Sequence, residues 1–299
     1  MSKLKKMLES GNFAVTAECG PPKGTDTSEF LHHAKAMWEY CEGINITDCP
    51  SANVRMSSLG CAILLAHNGM EAVWQITCRD RNRVALQCDL LTAASFGIKN
   101  TLLLSGDHTS LAEVAGAKAV YDLDSMNLLQ VARRMRDEKK LMGDEKEFSG
   151  PFEMFIGAVV NPFADPFDFR PIRLAKKISA GAQFIQTQCI YDMPRFKEYM
   201  KRVVDMGLHE KVYILAGITP LRSFGMAKFM ANNVAGISIP EDILKRLKDA
   251  GKENAPKEGY KIAIEQIQQV REIEGVKGVH VMAIGQEEKV PDILAAAGL

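Results

Sequence analysis

An excess of charge of either sign is missing from this sequence: it has 37 lysines and arginines against 37 aspartates and glutamates, so its formal net charge is zero. Proteins that bind nucleic acids or anionic membranes usually carry a basic excess, and we expect neither partner here. No stretch approaches the roughly 18 apolar residues of a membrane-spanning helix, and the basic start of the chain lacks the apolar core of a signal peptide. These absences predict a cytoplasmic protein.

Metal-binding and nucleotide-binding signatures are also missing. The seven cysteines form no C-x-x-C pair and the six histidines form no H-E-x-x-H motif, so we predict no metal site and expect reduced thiols. The chain contains no G-x-G-x-x-G, no G-x-x-x-x-G-K-[ST] and no G-x-S-x-G. A classical dinucleotide-binding fold, a P-loop and a serine-nucleophile enzyme are therefore not supported.

Short apolar runs rich in β-branched residues recur along the whole chain and predict eight strands. Their apolar residues are continuous rather than alternating, which is typical of parallel strands covered on both faces. The predicted strands are Phe13–Cys19, Gly43–Thr47, Glu71–Cys78, Asn100–Gly106, Glu153–Val160, Ala182–Ile190, Lys211–Ile218 and Gly278–Ile284.

Helical patterns lie between these runs. Apolar residues at helical spacing predict helices that bury stripes beginning at Met56, Val84 and Ala263, and Pro240 followed by two acids marks a further helix start. The charged segment 136–150 is predicted as a helix end and a loop, and the segment 248–259 as a loop. Because strands and helices alternate without a break in composition, we predict one (β/α)₈ barrel over residues 1–299, with an open doubly wound sheet as the alternative.

Polar or ionisable residues stand at the ends of most of these predicted strands. Parallel barrels place their chemistry at the carboxyl ends of the strands, so these side chains are candidates for one shared site. Carboxylates, amides and hydroxyls together suit a polar, uncharged heterocycle that is recognised by hydrogen bonds. The set comprises Glu18, Thr47, Thr77, Asp107, Asn161 and Gln188.

At the same strand ends the sequence resembles the methylenetetrahydrofolate reductase family. The opening F-A-V-T-A-E-C-G-P-P is similar to the family's E-F-x-P-P stretch, with Glu18 at the acidic position, and Ile46-Thr47 matches its second strand. Q-I-T-C and S-G-D-H are similar to its H-L-T-C and R-G-D segments, and S-A-G-A-Q-F-I-Q-T-Q to its D-A-G-A-x-x-x-I-T-Q run. T-P-L-R-S-F and G-I-S-I-P match its last loop and helix start. The resemblance depends on these motifs occurring in order along nearly the whole chain.

The resemblance implies a barrel that holds a flavin, usually FAD, and passes a hydride from the reduced flavin to the methylene carbon of 5,10-methylenetetrahydrofolate. Two residues would be catalytic: Glu18 as the general acid that assists opening of the imidazolidine ring, and Asp107 near flavin and pterin. Gln188 would hydrogen-bond the pterin and Phe224 would stack against the substrate. The implied cofactor contacts are Thr47, Gln75, Ser105, Gly106, Asp107, Tyr121, Asn161 and Lys177.

Four positions depart from the family's pattern. Gln75 replaces a histidine, Ser105 the R-G-D arginine, Arg170 an acidic residue, and Gln286 an arginine that helps hold folate. The loss of the two arginines weakens the case for FAD, which carries a pyrophosphate, so FMN is the alternative cofactor. The pattern is closer to the short reductases of anaerobes, which implies NAD(P)H or a protein electron donor such as an iron–sulfur partner subunit. An oligomer is also expected.

Several of these assignments have structural alternatives. Asp107 after Gly106 is also the pattern of a turn, Phe224 that of helix packing, and Lys177 beside Lys176 that of a solvated helix face. The alternative functions are a flavin-carrying electron-transfer subunit of a larger complex, a corrinoid- or zinc-linked methyltransferase barrel, and a barrel that only binds folate. An exposed apolar patch would favour the first, whereas the second needs clustered cysteine and histidine ligands that the sequence lacks.

Overall fold

The computed structural model describes residues 1–114, 116–234 and 236–299, and its strands close into a parallel barrel. Each strand pairs with the next in sequence, and β8 closes the barrel on β1, with Ala14 opposite Gly278 and Ala17 opposite Val281. The predicted (β/α)₈ barrel is confirmed, and the open sheet is wrong. The strands are β1 (Ala14–Cys19), β2 (Gly43–Ile46), β3 (Ala72–Thr77), β4 (Asn100–Leu104), β5 (Phe155–Val160), β6 (Phe184–Cys189), β7 (Tyr213–Ile218) and β8 (Val276–Val281).

Helices connect the strands and surround them. Within the described residues, no helix is long and apolar enough to cross a membrane. The helices are α1 (Lys3–Glu9), α2 (Ser28–Trp38), α3 (Ser58–His67), α4 (Arg83–Ser95), α5 (Ser125–Glu138), α6 (Phe169–Ala180), α7 (Met193–Asp205), α8 (Phe224–Asn233), α9 (Glu241–Arg271) and α10 (Val290–Ala297).

Helix α4 is confirmed, but its buried face is not the predicted stripe. Val84 is 64% exposed, whereas Leu86 and Leu90 are fully buried. The side chain of Asn82 caps the helix by accepting hydrogen bonds from the backbone N–H groups of Val84 and Ala85, and this cap fixes where the helix begins. Two apolar rows fit the helical period here, and the one that starts at Leu86 faces the barrel.

The prediction of a loop over residues 248–259 is wrong, because this segment lies inside α9. The chain breaks its helical geometry only at Gly251, where φ is +70°, a region that glycine adopts without strain. Gly259 then lets the helix approach the loop after β7, since a Cβ there would lie 1.8 Å from the carbonyl oxygen of Leu221. The charged composition that indicated a loop reflects a helix with one solvated face.

The interior of the barrel is apolar at its amino-terminal end and polar towards its carboxyl-terminal end. Leu4 and Leu8 of α1 pack against inward side chains that include Phe155 and Phe184, whose rings stack 4.9 Å apart. Above this layer the side chains alternate along each strand with a period of two, so that positions two residues further on also point inward. Several of the next inward positions carry polar side chains, and these lie beneath the site described below.

Candidate functional site

The carboxyl ends of the strands surround a cavity of about 490 Å³, which we call the outer cavity. Glu18, Asp107 and Gln188, which are remote in the chain, all line it, so the predicted convergence at one rim of the barrel is confirmed. The full lining is Glu18, Thr47, Asp48, Pro50, Gln75, Thr77, Arg79, Leu104, Ser105, Gly106, Asp107, Ser125, Val159, Arg173, Lys177 and Gln188.

A second cavity of about 210 Å³, the inner cavity, reaches towards the barrel axis. The two cavities share Glu18, Gln75, Val159 and Gln188 in their linings, and together they form one cleft. Asn161, a predicted cofactor contact, lines only the inner cavity. Glu18 and Gln188 therefore lie where a ligand in one cavity would meet a ligand in the other.

Below Glu18, a chain of buried polar side chains crosses the barrel interior. Asn45 and Gln186 exchange two hydrogen bonds of 2.7 and 3.0 Å, and Gln186 also donates to the hydroxyl of Thr16 at 3.0 Å. That hydroxyl lies 3.0 Å from Nδ1 of His280, whose Nε2 lies 3.9 Å from the Glu18 carboxylate. The Glu18 side chain is 23% exposed and lines both cavities, so its carboxyl group has His280 below it and the open cleft above it.

The loop after β4 carries Asp107 and is held by the loops after β2 and β3. The carboxylate of Asp107 accepts a 2.7 Å hydrogen bond from the backbone N–H of Ser51, and its carbonyl oxygen accepts one from Arg79. Gly106 has a φ of +90°, and a Cβ there would lie 3.0 Å from Cβ of Thr77. A larger residue would strain this loop, which explains the glycine.

Tyr121 and Phe224 are predicted site residues that do not line the cleft. The hydroxyl of Tyr121 donates a 3.1 Å hydrogen bond to the carbonyl oxygen of Asp107, so Tyr121 contacts the loop that carries Asp107. Phe224 begins α8 and lines a separate surface groove with Lys228 and Leu244. Their roles as flavin contact and substrate contact stay predictions.

Thr47 and Asp48 directly follow β2 and differ in their hydrogen-bond partners. The hydroxyl of Thr47 is buried and has no hydrogen-bond partner among the described residues, although it lines the outer cavity. Asp48 instead accepts hydrogen bonds from the N–H and the hydroxyl of Thr77, both 2.9 Å long, and from Arg81 at 2.7 Å. Asp48 thus fixes the floor of the cavity, while Thr47 leaves a buried polar atom for a ligand.

One end of the outer cavity is basic. Lys177 is 5% exposed, and its ammonium group donates a 2.6 Å hydrogen bond to the carbonyl oxygen of Val159. Burial, assisted by the nearby charge of Arg173, lowers the pKa of Lys177 to about 8. The alternative of a solvated helix face is therefore wrong for Lys177.

Gln188 presents its amide to the junction of the two cavities. Its side-chain oxygen accepts a 2.9 Å hydrogen bond from the backbone N–H of Cys189. This bond fixes the orientation of the amide and leaves its NH₂ group as the donor that a ligand could use.

Sequence reasoning missed Arg79, Ser125, Arg173 and His280 as parts of the site. Arg173 precedes Lys177 by four residues, and that spacing places both on one face of α6. His280 follows the same inward alternation as Gly278 on β8. Both signals were available in the sequence, although neither could be used before the cavity was located.

The chain is similar to proteins of one family along nearly its whole length. A family model described as methylenetetrahydrofolate reductase matches residues 3–298. Methylenetetrahydrofolate reductase 2 of Schizosaccharomyces pombe is 25% identical over 98% of this chain and 46% of its own length. The 5,10-methylenetetrahydrofolate reductase of Escherichia coli is 26% identical over 74% of this chain and 68% of its own length. The chain thus spans less than half of the yeast relative.

Solved structures with low sequence identity show the same fold. An uncharacterized protein from Clostridium thermocellum that binds two copies of 5-methyl-5,6,7,8-tetrahydrofolic acid has a TM-score of 0.64 at 16% identity, covering 99% of this chain and 98% of that protein. An F420-dependent secondary alcohol dehydrogenase has a TM-score of 0.55 at 11% identity, covering 96% and 99%. The family model, which covers nearly every residue, is decisive: this chain belongs to the methylenetetrahydrofolate reductase family.

Proposed function

We propose that this chain is a flavin-dependent reductase that converts 5,10-methylenetetrahydrofolate to 5-methyltetrahydrofolate. The observation that carries this proposal is the convergence of Glu18, Asp107 and Gln188 on one cleft of a chain that belongs to the reductase family. Glu18 lies where the two cavities join, and Lys177 lies at the basic end of the outer cavity. Such a cleft suits a flavin and a folate that must contact each other. The structural relative from Clostridium thermocellum, which binds a methylated folate, is consistent with the folate part of the proposal.

The outer cavity fits a flavin. Members of the family generally depend on flavin, and the buried hydroxyl of Thr47 offers a hydrogen bond that no described residue satisfies. Gly106 brings backbone close to the same cavity, where its N–H can contact the edge of a planar ring. Thr47, Gln75, Ser105, Gly106 and Lys177 would hold the cofactor, which supplies the hydride for the methylene carbon of the substrate when it is bound in reduced form.

Glu18 would act as the general acid. Its carboxyl group lies at the junction of the cavities, and a folate in the inner cavity would present its imidazolidine ring there. Protonation of the ring nitrogen that leaves breaks the bond to the methylene carbon and yields the iminium that accepts the hydride. Gln188 would orient the pterin by donating from its side-chain NH₂ group, and Asp107 would stabilise the positive charge that develops on the substrate.

The cofactor is tested by purification. We expect a yellow protein whose flavin is released by heat and identified by mass as FAD or FMN, and whose bound flavin is reduced by NAD(P)H or by a low-potential dye. A colourless protein that takes up neither FAD nor FMN would contradict the proposal.

A second candidate is a flavin-carrying subunit that receives electrons from an iron–sulfur partner. Exposed apolar side chains on the loops after β2 and β4 favour it: Val54 is 63% exposed and Leu111 is 60% exposed. These loops are adjacent, since the N–H of Glu113 donates a 2.7 Å hydrogen bond to Asn53. Fast flavin reduction by NADH in the isolated chain would contradict this candidate, whereas reduction only by the dye would support it.

A further inference from the structure

A third cavity, of about 380 Å³, lies between α7 and α9 and shares no lining residue with the outer or the inner cavity. We call it the helix cavity. Its size falls within the range of sites for small ligands. The walls come from the start of α7 and from the parts of α9 on either side of Gly251. The lining is Tyr191, Asp192, Met193, Pro194, Pro240, Asp242, Ile243, Arg246, Ile262, Glu265, Gln266 and Gln269.

Gln266 lines the helix cavity with a side-chain amide that has no hydrogen-bond partner. The residue is 3% exposed, and neither its Oε1 nor its Nε2 is bonded to any residue that the structure describes. Buried amides are normally bonded, because an unpaired buried donor or acceptor is destabilising. Its buried neighbours in the lining, Ile243 and Ile262, are apolar and offer no partner. One acceptor and two donors are therefore left for a ligand.

The charged side chains of the helix cavity leave an excess of carboxylates. Arg246 donates to Glu265 at 2.6 and 2.8 Å and to Glu258 at 2.7 Å, so its positive charge is already paired. Asp192 and Asp242 also line the cavity, and neither forms an ion pair with the residues described. A lining with three carboxylates and one guanidinium disfavours an anion and suits a ligand that brings hydrogen-bond donors.

The amide of Gln266 selects a particular kind of donor. A side-chain amide holds an acceptor and a donor side by side, which matches an amino group beside a ring nitrogen, as in the pairing of glutamine with adenine. Met193, Ile243 and Ile262 are buried and can pack against a planar ring. Ribose hydroxyls can donate to the carboxylates of the lining, whereas a phosphate would be repelled.

We propose that the helix cavity binds an uncharged aminopurine nucleoside, whose amino group and adjacent ring nitrogen pair with the amide of Gln266. The site is separate from the reaction cleft, and the proposal does not depend on the flavin enzyme.

Adenosine is the probe, titrated into the full chain by calorimetry with and without saturating FMN. We expect one adenosine per chain with a Kd below about 1 mM, unchanged by FMN. Inosine has an oxo group in place of the amino group, and AMP adds a phosphate. At low ionic strength each should bind more than about tenfold more weakly than adenosine, because the first lacks the donor and the second is repelled.

Gln266→Met keeps the length of the side chain and removes the amide. It should weaken adenosine more than about tenfold without lowering the free energy of unfolding, since the amide has no partner to lose. Gln268→Met is the matched control, because Gln268 is exposed on the same helix and does not line the cavity. Asp242→Asn, at an exposed position in the lining, should leave adenosine binding intact and bring AMP closer to it.

Four outcomes would overturn the proposal. The absence of adenosine binding would mean that the amide of Gln266 is satisfied by water alone. Loss of adenosine binding in the presence of FMN would place adenosine in the reaction cleft. Equal affinities for adenosine and inosine, or an unchanged affinity in Gln266→Met, would remove the pairing. If Gln266→Met does not fold, an AMP affinity that Asp242→Asn leaves unchanged would place the nucleoside outside the helix cavity.

Discussion

The carboxyl group of Glu18 lies between the imidazole of His280 and the open cleft. His280 lies 3.9 Å below it and is itself held by Thr16, whereas the cleft lies above. An acid that already lies at the junction of two ligand cavities is within reach of a substrate atom there, which is what proton donation in a transition state requires.

Replacing Glu18 with glutamine should remove the proton donor and keep the shape of the site. We expect Glu18→Gln to bind flavin normally and to reduce methylenetetrahydrofolate at least about 100-fold more slowly, the usual contribution of a general acid. Flavin absorbance and single-turnover formation of 5-methyltetrahydrofolate measure the two properties. Glu39→Gln, at an exposed position after α2, should behave as the wild type. Normal turnover in Glu18→Gln would remove Glu18 from the mechanism.

Thr47 offers a test of ligand binding that is independent of catalysis. Its buried hydroxyl has no partner among the described residues, so Thr47→Val should leave the free energy of unfolding of flavin-free protein unchanged or raise it by about 1 kcal/mol. The same variant should weaken flavin binding several-fold.

Thr101→Val is the matched control for Thr47→Val. The buried hydroxyl of Thr101 donates a 3.1 Å hydrogen bond to the carbonyl oxygen of Trp74, so its loss should lower the free energy of unfolding by about 1 kcal/mol. Urea unfolding and flavin titration measure both effects. Equal destabilisation by the two variants would show that Thr47 is bonded within the protein.

Helix α6 buries the ammonium group of Lys177, and this buried charge destabilises the folded protein. Burial lowers the pKa of Lys177 from 10.5 to about 8, so the unfolded chain binds this proton more tightly than the folded protein between these two values. The free energy of unfolding of flavin-free protein should therefore rise with pH from about 8 to about 10.5, because the folded state no longer holds a buried charge there.

Lys177→Met should abolish that rise and make flavin-free protein more stable at pH 7, by about 2 kcal/mol. Urea unfolding at pH 7, 8 and 9 measures it. Lys176→Met changes an exposed lysine and should keep the pH dependence of the wild type. A Lys177→Met protein that is less stable than the wild type at pH 7 would contradict this account of α6.

The strands and most helices were predictable because each has a local sequence signal, either an apolar run or apolar residues at helical spacing. Each of the eight apolar runs overlaps one of the eight strands, and Pro240 followed by two acids marks the start of α9. The buried face of α4 was not predictable, since two apolar rows fit its period. Residues 248–259 were not predictable as helix either, because a helix with a solvated face and a loop share the same charged composition.

Much of the site could be predicted for a similar reason. Strand ends with polar residues identify Glu18, Thr47 and Gln188, because parallel strands bring those ends to one rim. Arg173 and His280 needed coordinates, since their meaning depends on which helix face and which strand face line the cleft. Asp107 was identified in the same way as Glu18, as a residue that follows β4, but only the structure shows that Ser51 holds its carboxylate.

In the molecule as a whole, a ligand that binds the closed barrel should raise the free energy of unfolding of the entire fold. Each strand is paired on both sides, so the barrel should unfold as one cooperative unit. A ligand at about 100 times its Kd stabilises such a unit by about 2.7 kcal/mol, which raises Tm by about 5 °C in a domain of this size.

We therefore expect the Tm of flavin-free protein to rise by about 5 °C with saturating FMN or FAD in a calorimetric scan. Adenosine monophosphate carries a phosphate without a flavin ring and should leave the Tm unchanged at the same concentration. An unchanged Tm with both flavins would mean that neither occupies the cleft.

The central claim is that one cleft brings reduced flavin and a folate-bound methylene group together. It is tested most directly by mixing the reduced, flavin-loaded protein with 5,10-methylenetetrahydrofolate without oxygen. We predict that the flavin is reoxidised and that one 5-methyltetrahydrofolate forms for each flavin oxidised. Flavin that stays reduced in the presence of bound folate would contradict the account.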